Sequence, residues 1–290
     1  MRLPAQDAFL SRQSLLTTLT AAMVTTSVMP LAPAVAASTS LSSRLGSRDA
    51  KQLAKPIFNV APPEAAYPLW LDGTWKTTMG FGGYELPAKD LFTREELFAE
   101  PTVPGFQKVS IAFIPDVGKE SATFEMRFAK DAQGVVREDR VSNLRSAIRG
   151  GLGYDAIERV DYKADPMIPN PFGVNPNRLS LVFARGLTLN AERVELFVNS
   201  RETETVGEDI FITSEYLRQV TFSASKTSVA RQVSGEYSHF MTFKRLSDSS
   251  VSANILTAVY AEPLQQERFF IKAPTRPLLI YSHVLRMERV

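Results

Sequence analysis

The chain has 290 residues, 44% of them hydrophobic and 22% charged, which describes a globular protein able to build one large β domain or two small ones. Its 33 basic and 31 acidic residues leave a formal net charge of +2, with no basic stripe for nucleic acid and no acidic tail. Cysteine is absent, which excludes disulfides, thiol nucleophiles and thiolate metal sites.

Residues 1–36 read as a removable export signal. Arg2 and Arg12 form a positive n-region, Leu15 to Val28 a threonine-rich apolar stretch, and Ala34-Val35-Ala36 a small-residue cleavage site. Thr and Pro dilute the apolar part too much for a membrane span, which needs about 20 apolar residues. The mature chain is therefore expected to carry no transmembrane segment. Ser11-Arg12-Gln13-Ser14-Leu15-Leu16 resembles a twin-arginine signal with Gln13 in place of the second arginine, which leaves the twin-arginine and general secretory routes both open. Removing residues 1–36 takes away Arg2, Arg12 and Asp7 and leaves 31 basic and 30 acidic residues. Residues 37–68, rich in Ser, Ala and Pro, are expected as a flexible N-terminal arm with a short helix around Ser43 to Ala54.

From residue 69 to 290 one domain is expected, and its signal is strand-like alternation. Trp75 to Phe81 starts it; Val109, Ile111 and Phe113 alternate with polar or small residues, as do Ala122, Phe124, Met126 and Phe128. The pattern returns at Ala156 to Tyr162, Leu179 to Phe183 and Val194 to Val198, then in four long stretches to the end, giving about ten strands. One or two short helices are expected. Thr93 with Glu96 forms a capping box ahead of LFAE, and NLRSAIRG places Leu144 and Ile148 on one side. The stretch Asp165 to Arg178 has too many prolines for a strand and reads as a long loop. Many antiparallel strands with few helices predict a mainly β fold, a closed barrel or a sandwich, because so long a sheet must hide its edges.

No motif points to a reaction, and the reading leans away from an enzyme. A serine triad needs a histidine, and His239 and His283 both sit inside strand patterns; Gly-x-Ser-x-Gly is missing. Each is read first as a structural residue, with a pH sensor or a haem ligand as the functional alternatives. No metal site is expected, since His-Glu-x-x-His is absent and there are no thiolates. Gly151-Leu152-Gly153-Tyr154-Asp155-Ala156 has the letters of a dinucleotide loop but follows a helical pattern rather than a strand, so it reads as a turn. Glu95 and Glu96 are adjacent on a helical segment and point apart, a solvated face rather than an acid/base pair. Gly80-Phe81-Gly82-Gly83-Tyr84 is the candidate binding lip: glycines at the end of the first strand would free the Phe81 and Tyr84 rings for a ligand, the alternative being a plain glycine hairpin.

Both tryptophans fall in YPLWLDGTW, Tyr67 to Trp75, and the last strand pattern carries Arg286 and Arg289. Gly73-Thr74-Trp75 with a C-terminal arginine resembles the lipocalin and calycin barrels, in which an indole plugs the closed end under an arginine. That resemblance implies a lipocalin-like antiparallel β-barrel with Gly73, Trp75 and Arg286 as its plug. A resemblance over most of the mature chain rests on YPLWLDGTW, on TVPGF at Thr102 to Phe106 and on VVREDRVSN at Val135 to Asn143. NPNR at Asn175 to Arg178, SEYLRQVTF at Ser214 to Phe222 and RPLLIYSHVLRME extend it. These stretches resemble an uncharacterised family of cyanobacteria, algae and plant chloroplasts, domain of unknown function 6816. It implies oxygenic photosynthesis and, with an export signal, the thylakoid lumen or a bacterial periplasm. It carries over no catalytic residues and no established cofactor. The expected function is then a non-enzymatic lumenal protein that holds a small apolar ligand such as a pigment, quinone or lipid. The alternative is a protein-interaction module that assists assembly or stability of a photosynthetic membrane complex from its lumenal side; an isomerase-like enzyme is the third reading.

Overall fold

A computed structural model describes residues 39–47, 49–56, 62–105, 110–114, 121–162, 177–188, 191–223 and 231–290. The signal segment, Phe106, Val109 and most of the proline-rich loop 165–178 lie outside the described residues.

Among the described residues, ten strands form one antiparallel sheet. They are β1 (Gly73–Glu85), β2 (Ala122–Lys130), β3 (Val136–Glu138), β4 (Ile157–Tyr162), β5 (Arg178–Phe183), β6 (Arg193–Val206), β7 (Ile210–Ser223), β8 (Arg231–Ser247), β9 (Ser250–Tyr260) and β10 (Leu279–Arg289). Their spatial order is β3-β2-β1-β10-β9-β8-β7-β6-β5-β4, so β4 to β10 run as a meander and β1 docks on the last strand. The sheet curls into a half-barrel whose edges, β3 and β4, stand 14 Å apart. Among the described residues there are four helices: α1 (Leu41–Gly46), α2 (Arg94–Ala99), α3 (Arg140–Leu152) and α4 (Glu267–Lys272). The expected closed barrel with one or two short helices is therefore corrected to an open, curled sheet.

On the open side of the curl, α3 packs against β2 and β4. Asp139 caps its start by accepting from the Ser142 amide at 3.1 Å, and Gly153, at φ +82°, ends it. The helix lies against β2 and takes the place of a further strand. Asn143 Oδ1 accepts from the Arg127 amide at 2.7 Å while its Nδ2 donates to the Arg127 carbonyl at 3.2 Å, and Ser146 Oγ accepts from the Glu125 amide at 2.9 Å. An edge strand's unpaired backbone groups are thus met by side chains. Gly150 permits the approach, because a Cβ there would stand 2.7 Å from the Thr123 carbonyl oxygen. On its other side Leu144 and Ile148 join Ile157, Leu179, Leu181 and Leu196 in a satellite core.

The period-two alternation sorts each strand onto two faces. On β7, Phe211 and Leu217 join the main inner core, whereas Ile212 and Tyr216 belong to an outer cluster. The inside of the curl is packed by Trp75, Met79, Phe124, Phe128, Tyr237 and Phe243, with Leu97 of α2 and Phe269 of α4 closing over it. The strand expected over Val109 to Phe113 is a second correction. Described residues 110–114 form a turn with an isolated bridge between Ile111 and Ile114, both fully buried. The Gln219 side chain holds this turn inside, accepting from the Ala112 amide at 3.0 Å and donating to the Ser110 carbonyl at 3.1 Å. Alternation arose here because the turn buries apolar side chains, without a neighbouring strand to pair.

The outer face is covered in part by the segment expected as a flexible arm. Leu41 of α1 and Leu53 of a 3-10 turn, Ala50–Leu53, pack on Ile212, Tyr216, Phe240, Tyr260 and Ile280. The Tyr260 hydroxyl donates to the Leu53 carbonyl at 2.6 Å, and the Ser42 hydroxyl donates to Glu204 at 2.6 Å.

Candidate functional site

The glycine-rich stretch expected as a lip is instead the second half of β1. Pairing with β10 passes from Phe81↔His283 to Gly83↔Ser282, so Gly82 forms a bulge and the strand continues to Glu85. Gly83 sits at φ +126°, a conformation that only glycine adopts readily. Phe81 packs on His283 with ring centroids 5.4 Å apart, and Tyr84 meets Phe98 edge-on at 5.6 Å and accepts from Arg94 Nε at 3.1 Å. These residues are tied into the sheet and α2, and none of them lines the interior cavity described below.

Trp75 is fully buried at the β1 end of the curl, with its Nε1 donating to the Leu71 carbonyl at 2.8 Å. The arginine over its ring is Arg289, directly across the ladder, at 4.4 Å from the centroid. Its guanidinium also donates to the carbonyls of Asp72 at 2.5 Å, Asp248 at 2.9 Å and Trp70 at 3.0 Å. Gly73 makes room for it: a Cβ there would stand 2.5 Å from Arg289 Nη1. Arg286, the partner expected from the resemblance, pairs with Thr78 and is exposed, three residues away and therefore on the opposite face.

The interior holds an ion cluster that strand patterns did not reveal. Arg201 on β6, Glu215 on β7, His239 on β8 and Thr257 on β9 stand directly opposite one another across four neighbouring strands. Arg201 Nε donates to Glu215 at 2.6 Å, and Arg140, the first residue of α3, pairs with the same carboxylate. Glu138, at the end of β3, lies 3.6 Å from Arg140 Nε and accepts from the Tyr67 hydroxyl and Asn143 Nδ2, each at 3.3 Å. Two guanidinium groups thus balance two carboxylates behind the gap that α3 fills. Burial alone would raise the Glu215 carboxyl; Arg140 and Arg201 outweigh it and hold it at about 2. For Glu138 burial wins and its pKa rises despite Arg140.

His239 Nδ1 is 2.9 Å from Thr257 Oγ1, and burial pushes its pKa down to about 4, so the ring is neutral over ordinary pH. Its Nε2, together with Thr213 Oγ1 and Arg201 Nη2, is buried without a hydrogen-bond partner among the described residues. These groups surround or adjoin a cavity of about 60 Å³ bounded by Glu138, Arg140, Thr213, Glu215 and His239 on its polar side and by Phe128 and Phe243 on its apolar side. That volume suits a few water molecules, which need polar partners of this kind. His283 is buried on the same inner face, against Phe81. Among the described residues no group of three or more acidic or imidazole side chains could hold a metal ion, and no helix is long and apolar enough to cross a membrane.

The cluster had a partial signal in VVREDRVSN, which contains Glu138, Arg140 and Asn143, but nothing local linked it to Arg201 or Glu215. No curated protein and no solved structure matches the chain. Residues 59–290 match the family described as Domain of unknown function (DUF6816), and a match over most of the length, from the segment before Trp75 through the last strand, places the chain in that family.

Proposed function

We propose that this protein is a non-enzymatic interaction module of the thylakoid lumen, or of the corresponding periplasmic space, that assists assembly or stability of a photosynthetic complex. One observation carries the choice over a pigment, quinone or lipid carrier: the inside of the curl is filled by the chain's own side chains. The cavity left among them is about 60 Å³, whereas pockets for small organic ligands span about 300–1,000 Å³. The export-type features of residues 1–36 and the resemblance to a family of oxygenic phototrophs support the compartment. In this reading the Trp75–Arg289 stack is a lipocalin-like plug with a structural task, tying the first strand to the last. The test is native mass spectrometry and an absorbance spectrum of the mature protein from a photosynthetic host. A bare polypeptide mass with copurifying subunits of a membrane complex supports the module; a bound pigment, quinone or lipid mass overturns it.

A further inference from the structure

Outside the curl, on the face of β5 to β8 opposite the ion cluster, a groove of about 590 Å³ is lined by side chains of alternating charge and aromaticity. Strand register arranges them as a grid. Across one row stand Arg178, Phe197, Arg218 and Glu236; two residues along, Ser180, Glu195 and Val220; two further, Arg193 and Phe222. The Arg178 guanidinium lies over the Phe197 ring at 5.1 Å, and that of Arg193 over Phe222 at 4.3 Å.

The charges in this groove do not cancel. Glu236 is taken by Lys55, and Arg218 pairs with the buried Glu262 at 3.4 Å. That leaves Arg178 and Arg193 to share one carboxylate, Glu195, at 3.7 and 3.3 Å. Glu195 is buried, yet among the described residues its Oε2 has no hydrogen-bond partner, and neither do the buried Nε atoms of Arg178 and Arg218. The guanidinium groups are still reachable, with side-chain exposures of 27% for Arg178, 47% for Arg193 and 40% for Arg218. A site with exposed guanidinium donors in excess of its carboxylates fits an anionic occupant.

Spacing decides which anion. Along the backbone, Arg178 and Arg218 are two strands apart, roughly 10 Å, and Arg193 is four residues from the Phe197 row, roughly 13 Å. The side chains gather at two places: Arg178 and Arg193 meet at Glu195, and Arg218 is held at Glu262, so the three cations do not surround one open point as a single phosphate or carboxylate would require. We propose that this groove binds an acidic peptide segment of a partner protein, with several carboxylates reaching separate arginines and apolar parts resting on Phe197 and Phe222. The inference rests on the interaction-module reading and names the partner's chemistry.

The test uses fluorescein-labelled deca-glutamate and fluorescence anisotropy on the mature protein at low salt. Saturable binding is expected, weakened about tenfold by Arg193→Gln through loss of charge-assisted hydrogen bonds. That substitution leaves Arg178 to neutralise Glu195. The double variant Arg178→Gln/Glu195→Gln keeps the buried charge balanced and is also expected to weaken binding; circular dichroism checks that both variants are folded. No binding, or equal binding to the folded variants, overturns the proposal. So does complete displacement of the peptide by millimolar inorganic phosphate, which would mark a small-anion site. Photosynthetic subunits that still copurify with Arg193→Gln would sink the groove and spare the module. Deca-glutamate binding through these arginines with no copurifying subunit would sink the module and spare the groove.

Discussion

If α3 replaces a strand at the edge of β2, then Asn143→Ala should be among the more damaging single substitutions in the chain. Asn143 is completely buried, and its amide makes three hydrogen bonds: 2.7 Å from the Arg127 amide, 3.2 Å to the Arg127 carbonyl and 3.3 Å to Glu138. Truncation leaves the Arg127 amide unmet in a partly buried position, while the Arg127 carbonyl keeps its bond from the Asp139 amide at 3.0 Å. At about 1 kcal/mol per net hydrogen bond, with an added penalty for the orphaned amide, the loss is about 3–4 kcal/mol. For a domain of this size that corresponds to a fall in Tm of about 10 °C. Urea unfolding measures the energy, and hydrogen exchange at the Arg127 amide localises it. Gly150→Ala sharpens the test. In an exposed helix interior the change would add about 1 kcal/mol of helix propensity, but here the new Cβ would stand 2.7 Å from the Thr123 carbonyl oxygen. Overpacking at about 1–3 kcal/mol should win, so the variant is expected to be less stable. A loss below about 0.5 kcal/mol for Asn143→Ala with unchanged exchange at Arg127, or a stabilised Gly150→Ala, would refute the edge-replacing role of the helix.

Two further outcomes follow from the site geometry. Arg289→Ala removes the indole stack and three backbone contacts and should cost about 1–3 kcal/mol, while Arg286→Ala on the solvent face should stay within about 0.5 kcal/mol; equal effects in thermal melts would contradict the assignment of the stacking arginine. Stability should also fall in acid in two legs. His239 is depressed in the folded state, so its contribution is complete above the unfolded value near 6.5 and is lost as pH drops toward 4, about 2 kcal/mol by pH 5. Glu215 is likewise depressed, so its share is present above about 4.5 and lost between there and about 2. His239→Gln should flatten only the upper leg in urea midpoints measured from pH 7.5 to 4.5; an unchanged slope would remove His239 as its source.

Much of the local structure was legible in the chain. The capping box Thr93/Glu96 forms as written, with Thr93 Oγ1 accepting from the Glu96 amide at 3.2 Å and the Glu96 carboxylate accepting from the Thr93 amide at 2.8 Å. Leu144 and Ile148 lie on one side of α3, and Gly153 turns the chain where a turn was expected. Such features depend on contacts within four residues, which a sequence displays directly. The candidate site was less legible. Phe81 to Tyr84 read as a loop because glycines interrupt the alternation, whereas a bulge absorbs one of them and lets the strand continue. α4 escaped notice because, unlike the equally short α2, it has no side-chain cap to mark its start, and six residues are too few to establish a helical period.

Composition and periodicity alone determined a mainly β protein without thiol chemistry, because alternation is a property of single strands and cysteine count is a property of the list. Which strands adjoin, which arginine covers Trp75 and whether the sheet closes were decided only by register and packing. Arg201, Glu215 and His239 are separated by 14 and 24 positions in the chain yet stand side by side on one row, because two antiparallel ladders fold the sequence back on itself. The β5–β6 register brings Arg178 to Glu195 outside the curl, where Arg193 meets it from two residues before on β6. A charge in the sequence has only neighbours before and after it, and the sheet adds the ones across.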